Sequence, residues 1–150
     1  VISVGGPVTN LLFRRLNASR ASEYRFAADD RTLINVDGTQ HFDNALLDNS
    51  GPSVSHALIA KHIVRSDRSR TSLVSIAGTY GPATLEAARH LSDSDNLKQL
   101  HLVAHGEDNL QAVLRIVSDD EGNSSSLSTS IAVDSVDRRG LIKDDAVSSD

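Results

Sequence analysis

The stretch "SHALIAKHIVR", Ser55–Arg65, carries apolar side chains at both parities. Ala57, Ile59 and Ile63 fall on one alternating face, and Leu58, Ala60 and Val64 on the other. Successive side chains of a strand point to opposite faces, so a strand with this pattern must be covered on both. A short helix is the competing reading, because periodicity alone does not separate the two in so short a run. Read as a strand, the segment demands a sheet with further layers on each side. The core that covers it must be aliphatic, since the 150 residues hold three Phe, two Tyr and no Trp.

Two other segments predict how those layers attach. "VISVGG", Val1–Gly6, reads as a short buried strand running into a Gly-Gly turn. Pro7 suits a first helical turn, where its missing N–H is not needed. Val8, Leu11, Leu12 and Leu16 then recur at helical spacing. "TSLVSIAGTYGPATLEAARHL", Thr71–Leu91, repeats the same order of strand, Gly-bearing turn and helix. Its helix is expected to bury the stripe Leu85, Ala88 and Leu91.

Between them, "EYRFA", "TLINV" and "QHF" read as short strands, and Asp37-Gly38 predicts a tight turn within a Thr32–Phe42 hairpin. "SDSDNLKQLHLVAH" predicts a short helix with capping residues in front and an end near Gly106. "NLQAVLRIVS" and "LSTSIAVDSV" predict an antiparallel hairpin joined by an exposed loop, "DDEGNSSS". The expectation is a single domain over residues 1–143 with a polar tail at 144–150. Its fold class is α/β: a mixed, mostly parallel Rossmann-like sheet with helices on its faces and an antiparallel C-terminal hairpin. The chain opens on Val1 and contains no Met, so an excision from a longer protein is expected.

The chemistry on offer is narrow. With no Cys, thiolate metal sites, cysteine nucleophiles and disulfides are excluded. A net charge of −5 with both signs interspersed argues against a general nucleic-acid surface. No apolar run approaches the ~20 residues that span a bilayer. His101 and His105 would share a helix face, but a zincin helix needs Glu directly after its first His, and Leu102 stands there. His56 and His62 share a strand face but lie roughly 20 Å apart. No metal or cofactor is expected, and no serine sits in a GxSxG elbow.

What stands out is the pair of Gly turns. Glycines at the end of a strand let backbone amides approach an anion at a helix N-terminus. Turns leaving neighbouring parallel strands open at one sheet edge, where open α/β sheets bind ligands. The candidate binding residues are therefore Gly5, Gly6 and Asn10 in the first turn. In the second they are Gly78, Thr79, Tyr80, Gly81 and Thr84. Asn10, Thr79 and Thr84 would orient the ligand. The alternative is that Gly-Gly-Pro only turns the chain and Asn10 hydrogen-bonds the adjoining loop. "AGTYGPAT" lacks the Lys of a P-loop and the spacing of GxGxxG.

Gly5, Gly6, Pro7 and Asn10, followed by Ala77, Gly78, Gly81, Thr84, Ala87 and Ala88, resemble a bacterial domain family that begins Gly-Gly-Pro-x-x-Asn. The resemblance implies a C-terminal part of a longer regulatory or signalling protein. The chain is more loosely similar to the C-terminal domain of archaeal S-layer proteins. The expected function is a non-enzymatic, cytoplasmic regulatory domain that senses a small anionic or nucleotide-like ligand or docks a partner. The alternative is a structural self-assembly domain. Expected partners are such a ligand and other domains of the parent protein, with a homo-oligomer left open. Neither a membrane nor direct nucleic-acid binding is expected.

Overall fold

The structure, a computed structural model, describes residues 1–7, 10–18, 22–46, 52–65, 69–119 and 123–134. The 144–150 tail and Val8 lie outside them. In chain order the elements are β1 (Ile2–Val4), α1 (Leu11–Ala18), β2 (Tyr24–Phe26), β3 (Leu33–Asn35), β4 (His41–Phe42) and β5 (Ala45–Leu46). They continue with β6 (Pro52–Arg65), β7 (Arg70–Gly78), α2 (Gly81–Ser92), α3 (Ser94–Ala104), β8 (Asn109–Ser118) and β9 (Ser124–Asp134).

The segment apolar at both parities is indeed a strand, and it is the spine of the fold. β6 pairs with β7 along one edge and β8 along the other, within a sheet ordered β1-β7-β6-β8-β9. β5 extends the β7 side of β6, pairing Ala45 with Val54. On one face Ala57 and Ile59 join Ala83 and Ala87 of α2 and Leu100 and Ala104 of α3. On the other, Leu58 joins Phe13 of α1 and Tyr24, Phe26 and Leu33 of a second sheet ordered β2-β3-β4. The covering layers demanded by the sequence are thus both present: two helices on the α2 face, and a helix with a small antiparallel sheet on the α1 face.

The expected mostly parallel, Rossmann-like α/β arrangement is overturned. Among the described strand pairs only β1 and β7 are parallel, in the register Ile2–Val74, Ser3–Ser75 and Val4–Ile76; the rest are antiparallel. Chain length between strands explains this. Parallel neighbours need a crossover of about a dozen residues or more. The step from Arg65 to Arg70 is far shorter, so β6 and β7 must form a hairpin. The long connection through α2 and α3 carries the chain past β6 before β8 pairs antiparallel with it. The predicted Thr32–Phe42 hairpin and the β8–β9 hairpin are observed. Ser124–Ser126, expected in the hairpin loop, belong instead to β9 and pair with Ile116–Ser118.

Side-chain amides fasten the small sheet to the rest. Tyr24 N–H donates to Gln111 Oε1, and Gln111 Nε2 donates to Tyr24 C=O, each at 3.1 Å. Asn17 grips Phe26 in the same two-point manner from α1. Each amide stands in for a neighbouring strand, satisfying backbone groups that would otherwise be buried unpaired. Replacing Gln111 by Ala strips both bonds from Tyr24 and should lower stability by about 2 kcal/mol or more. Urea unfolding measures this as a reduced midpoint, and an unchanged midpoint would show that water replaces the amide.

Candidate functional site

The two Gly turns meet. β1 and β7 run side by side in the same direction, so both turns emerge at one edge of the sheet. A Cβ built on Gly6 would lie 3.8 Å from the carbonyl oxygen of Gly78. The helices that follow leave on opposite faces: α1 packs with Leu58 and Ala77, and α2 with Ile59 and Ile76. Neighbouring parallel strands whose connections diverge in this way form a switch point, the place where α/β sheets open a crevice.

The side chains expected to orient a ligand are engaged elsewhere. Asn10 precedes α1; its Oδ1 accepts from Phe13 N–H at 3.1 Å, a helix-capping bond. Its Nδ2 donates to Ser3 Oγ and Val4 C=O. Thr84 Oγ1 accepts from Gly78 N–H at 2.9 Å. Thr79 is buried; its hydroxyl accepts from His56 N–H and lies 2.8 Å from Asn44 Oδ1 and 3.0 Å from His56 C=O. Thr79 therefore stitches the end of β7 to β6 and to the start of β5. These three residues hold the turns in shape.

The backbone at the same place is less committed. Gly5 has φ 118° and donates to Ile76 C=O at 2.9 Å, extending the parallel ladder by one bond. Gly6 C=O accepts from Asn10 N–H. Tyr80 is extended and exposed, and it precedes α2 without giving that helix a side-chain cap. The first amide bonded within the helix is that of Thr84, to Tyr80 C=O at 3.2 Å. Pro82 has no N–H, which leaves the Gly81 and Ala83 amides at the positive end of the α2 dipole. Neither makes a hydrogen bond among the described residues.

Gly78 is required by space. A Cβ there would stand 2.4 Å from Thr84 N and 2.7 Å from both Ala83 C and Cβ, within the first turn of α2. At Gly81 a Cβ meets nothing within 4 Å. Substituting Gly78 thus perturbs the fold and is no clean probe of ligand binding. Gly78→Ala should cost about 1–3 kcal/mol, the usual range for an overpacked core. Gly81→Ala should be neutral or raise stability by about 0.4–1 kcal/mol. Equal urea midpoints for the two variants would contradict the close approach of β7 and α2.

A second polar cluster went unnoticed in the sequence. Of the expected α2 stripe, Ala88 and Leu91 pack against the core, but Leu85 is 54% exposed, and Glu86 and His90 are buried beneath β9. Ser124 Oγ donates to Glu86 Oε2 at 2.9 Å, and Ser126 Oγ lies 2.9 Å from His90 Nδ1. Ser, His and Glu together suggest nucleophilic catalysis, but here the carboxylate engages the serines, with Ser126 Oγ also 3.5 Å from Glu86 Oε1. A triad needs the acid on the imidazole nitrogen opposite the serine. The cluster is a hydrogen-bonded clamp between α2 and an edge strand. Glu86 and His90 stand i, i+4 apart and face alternate serines at 124 and 126; that spacing is its sequence signal.

The remaining histidines are separate. His105 caps α3 in the left-handed conformation, φ 44°, so it does not continue the helix face of His101 as expected. No group of three metal-ligating side chains comes together among the described residues. His56 lies buried against Phe42, ring centroids 5.7 Å apart. No helix among the described residues is long and apolar enough to cross a membrane. No known family model matches the chain, and no curated protein or solved structure is significantly similar to it.

Burial holds the His90 imidazole below the ordinary histidine value of 6.5, against the opposing pull of Asp93 and Glu86. Burial also lowers His56, helped by Arg115 and opposed by Asp43. Both groups bind protons more readily when unfolded. Their contribution is complete above about pH 6.5 and is lost as the pH falls through the depressed folded values. Urea midpoints should therefore decline below pH 6.5, and a His56→Gln, His90→Gln double variant should show a shallower decline. An unaltered slope would refute the assignment.

Proposed function

We propose that the domain is a non-enzymatic regulatory module that binds a small anionic or nucleotide-like ligand across the ends of β1 and β7. The observation that carries this reading is the switch point itself: two Gly turns side by side, leading to helices on opposite faces. The ligand is held by backbone rather than by side chains. The Gly81 and Ala83 amides present donors and a favourable dipole to an anion. Asn10, Thr79 and Thr84 shape the turns around it. Gly5 and Gly6 let the first turn lie close to the second. We assign the module to a cytoplasmic regulatory or signalling protein of bacterial type, in keeping with the Gly-Gly-Pro-x-x-Asn resemblance, with other domains of that protein reading the bound state.

A second reading rests on the sheet edges. β1 is an edge strand, with Ile2 72% and Val4 55% exposed, and Leu127 on the opposite edge strand, β9, is 70% exposed. Such edges are templates for pairing with another chain, as a self-assembling structural domain requires.

One sample distinguishes the two. In an amide-resolved NMR titration with inorganic phosphate and then with nucleotides, the ligand reading expects saturable shifts centred on Gly6, Gly81 and Ala83 with the chain monomeric. Absence of shifts at those amides sinks it. Light scattering that instead shows mass rising with concentration, reversed by Ile2→Lys, establishes the structural reading.

A further inference from the structure

One row of register partners crosses the central sheet on its α1 face: Ser3, Ser75, Ala60, Gln111 and Ala132, on β1, β7, β6, β8 and β9 in turn. Ser75 is fully buried, and its Oγ has no hydrogen-bond partner among the described residues. Native interiors rarely leave a hydroxyl in that condition without a bound water.

The space beside it has a cause. Ser75 and Gln111 lie two strands apart, about 9.6 Å between backbones at the usual strand spacing. Ala60 between them rises only one carbon above the sheet. The Gln111 amide is turned to the Tyr24 backbone and does not fill the gap. What remains is a half-open pocket with about 10 Å³ of room, lined by Ser75, Ala60, His62, Gln111, Ser22 and Phe13. That volume matches about one water-sized sphere.

We propose that this pocket is a built hydration site holding one water molecule. The water hydrogen-bonds Ser75 Oγ and bridges it, over Ala60, to the Gln111 amide, which has a second N–H and a second lone pair beyond those used by Tyr24. It joins β7 to β8 across the spine strand and tops up the polar seam on which β2 is fastened. The site takes a neutral water because Ser75 and Gln111 can each donate and accept.

A high-resolution crystal structure of the intact chain tests this directly. The expected result is one density peak at hydrogen-bonding distance from Ser75 Oγ, lost or displaced in Ser75→Ala. The sign of the stability change is an independent check. A bridging water loses a partner in Ser75→Ala, so Tm falls by a few degrees; in a dry pocket the same change removes an orphaned hydroxyl and leaves Tm equal or higher. Either an empty pocket in the wild-type map or an unchanged or raised Tm overturns the proposal.

Discussion

β6 is the strand on which everything else rests, because it is enclosed in every direction a strand has. Its two edges are hydrogen-bonded to β7 and β8, and its two faces lie under different layers. Burying a backbone this completely is tolerable only when every N–H and C=O finds a partner, and the long antiparallel ladders supply them. The alternating Ala, Leu and Ile side chains then need aliphatic cover above and below. The placement of α2 and α3 on one side, and of α1 with the small sheet on the other, answers that need. The Gly turns matter because they end the parallel strands beside this spine, where helices must depart to opposite layers.

How much of this was legible depends on whether the signal was local. The two-faced burial of Ser55–Val64, the strand–Gly–helix order at both turns, and the capped α3 ending at Gly106 can all be read from neighbouring residues. Strand direction depends instead on the length of a link: Arg65 to Arg70 is too short for a parallel crossover. A short link forces a hairpin, and the antiparallel pairing of β6 with β7 follows from it. Ala88 and Leu91 of the α2 stripe face the core, but Leu85 does not, for a different reason. Leu85 outranks Glu86 on any hydrophobic scale, yet the serines of β9 give Glu86 and His90 buried hydrogen-bond partners that only the tertiary fold brings near.

The adjacency of the two Gly turns was legible, and the bonds made by their side chains were not. That Gly6 and Gly78 come close follows from the parallel pairing of β1 and β7, which the sequence pattern suggested. Which groups remain available there depends on bonds spanning distant segments: Thr79 to Asn44 and His56, and Asn10 back to Ser3 and Val4. Polar side chains beside a turn therefore say little about binding until their partners are known. The same lesson applies to Gln111 and Asn17, which read as ordinary strand and helix residues and serve as surrogate strands for Tyr24 and Phe26.

The directions of the outer strands have a mechanical consequence. β1 runs parallel to β7, whereas β9 runs antiparallel to β8, so Val1 and Asp134 come out at the same end of the sheet. They stand on opposite edges, four strand spacings or about 19 Å apart. The Gly turns lie at the far end of the strands. A tension applied between Val1 and Asp134 would pull the edges apart at their near ends. It would break hydrogen bonds in succession, as in a zipper, instead of shearing a whole ladder at once. The β1–β7 ladder, Ile2–Val4, is the shortest between those two edges, so it yields first and the load reaches Gly5 within a few hydrogen bonds.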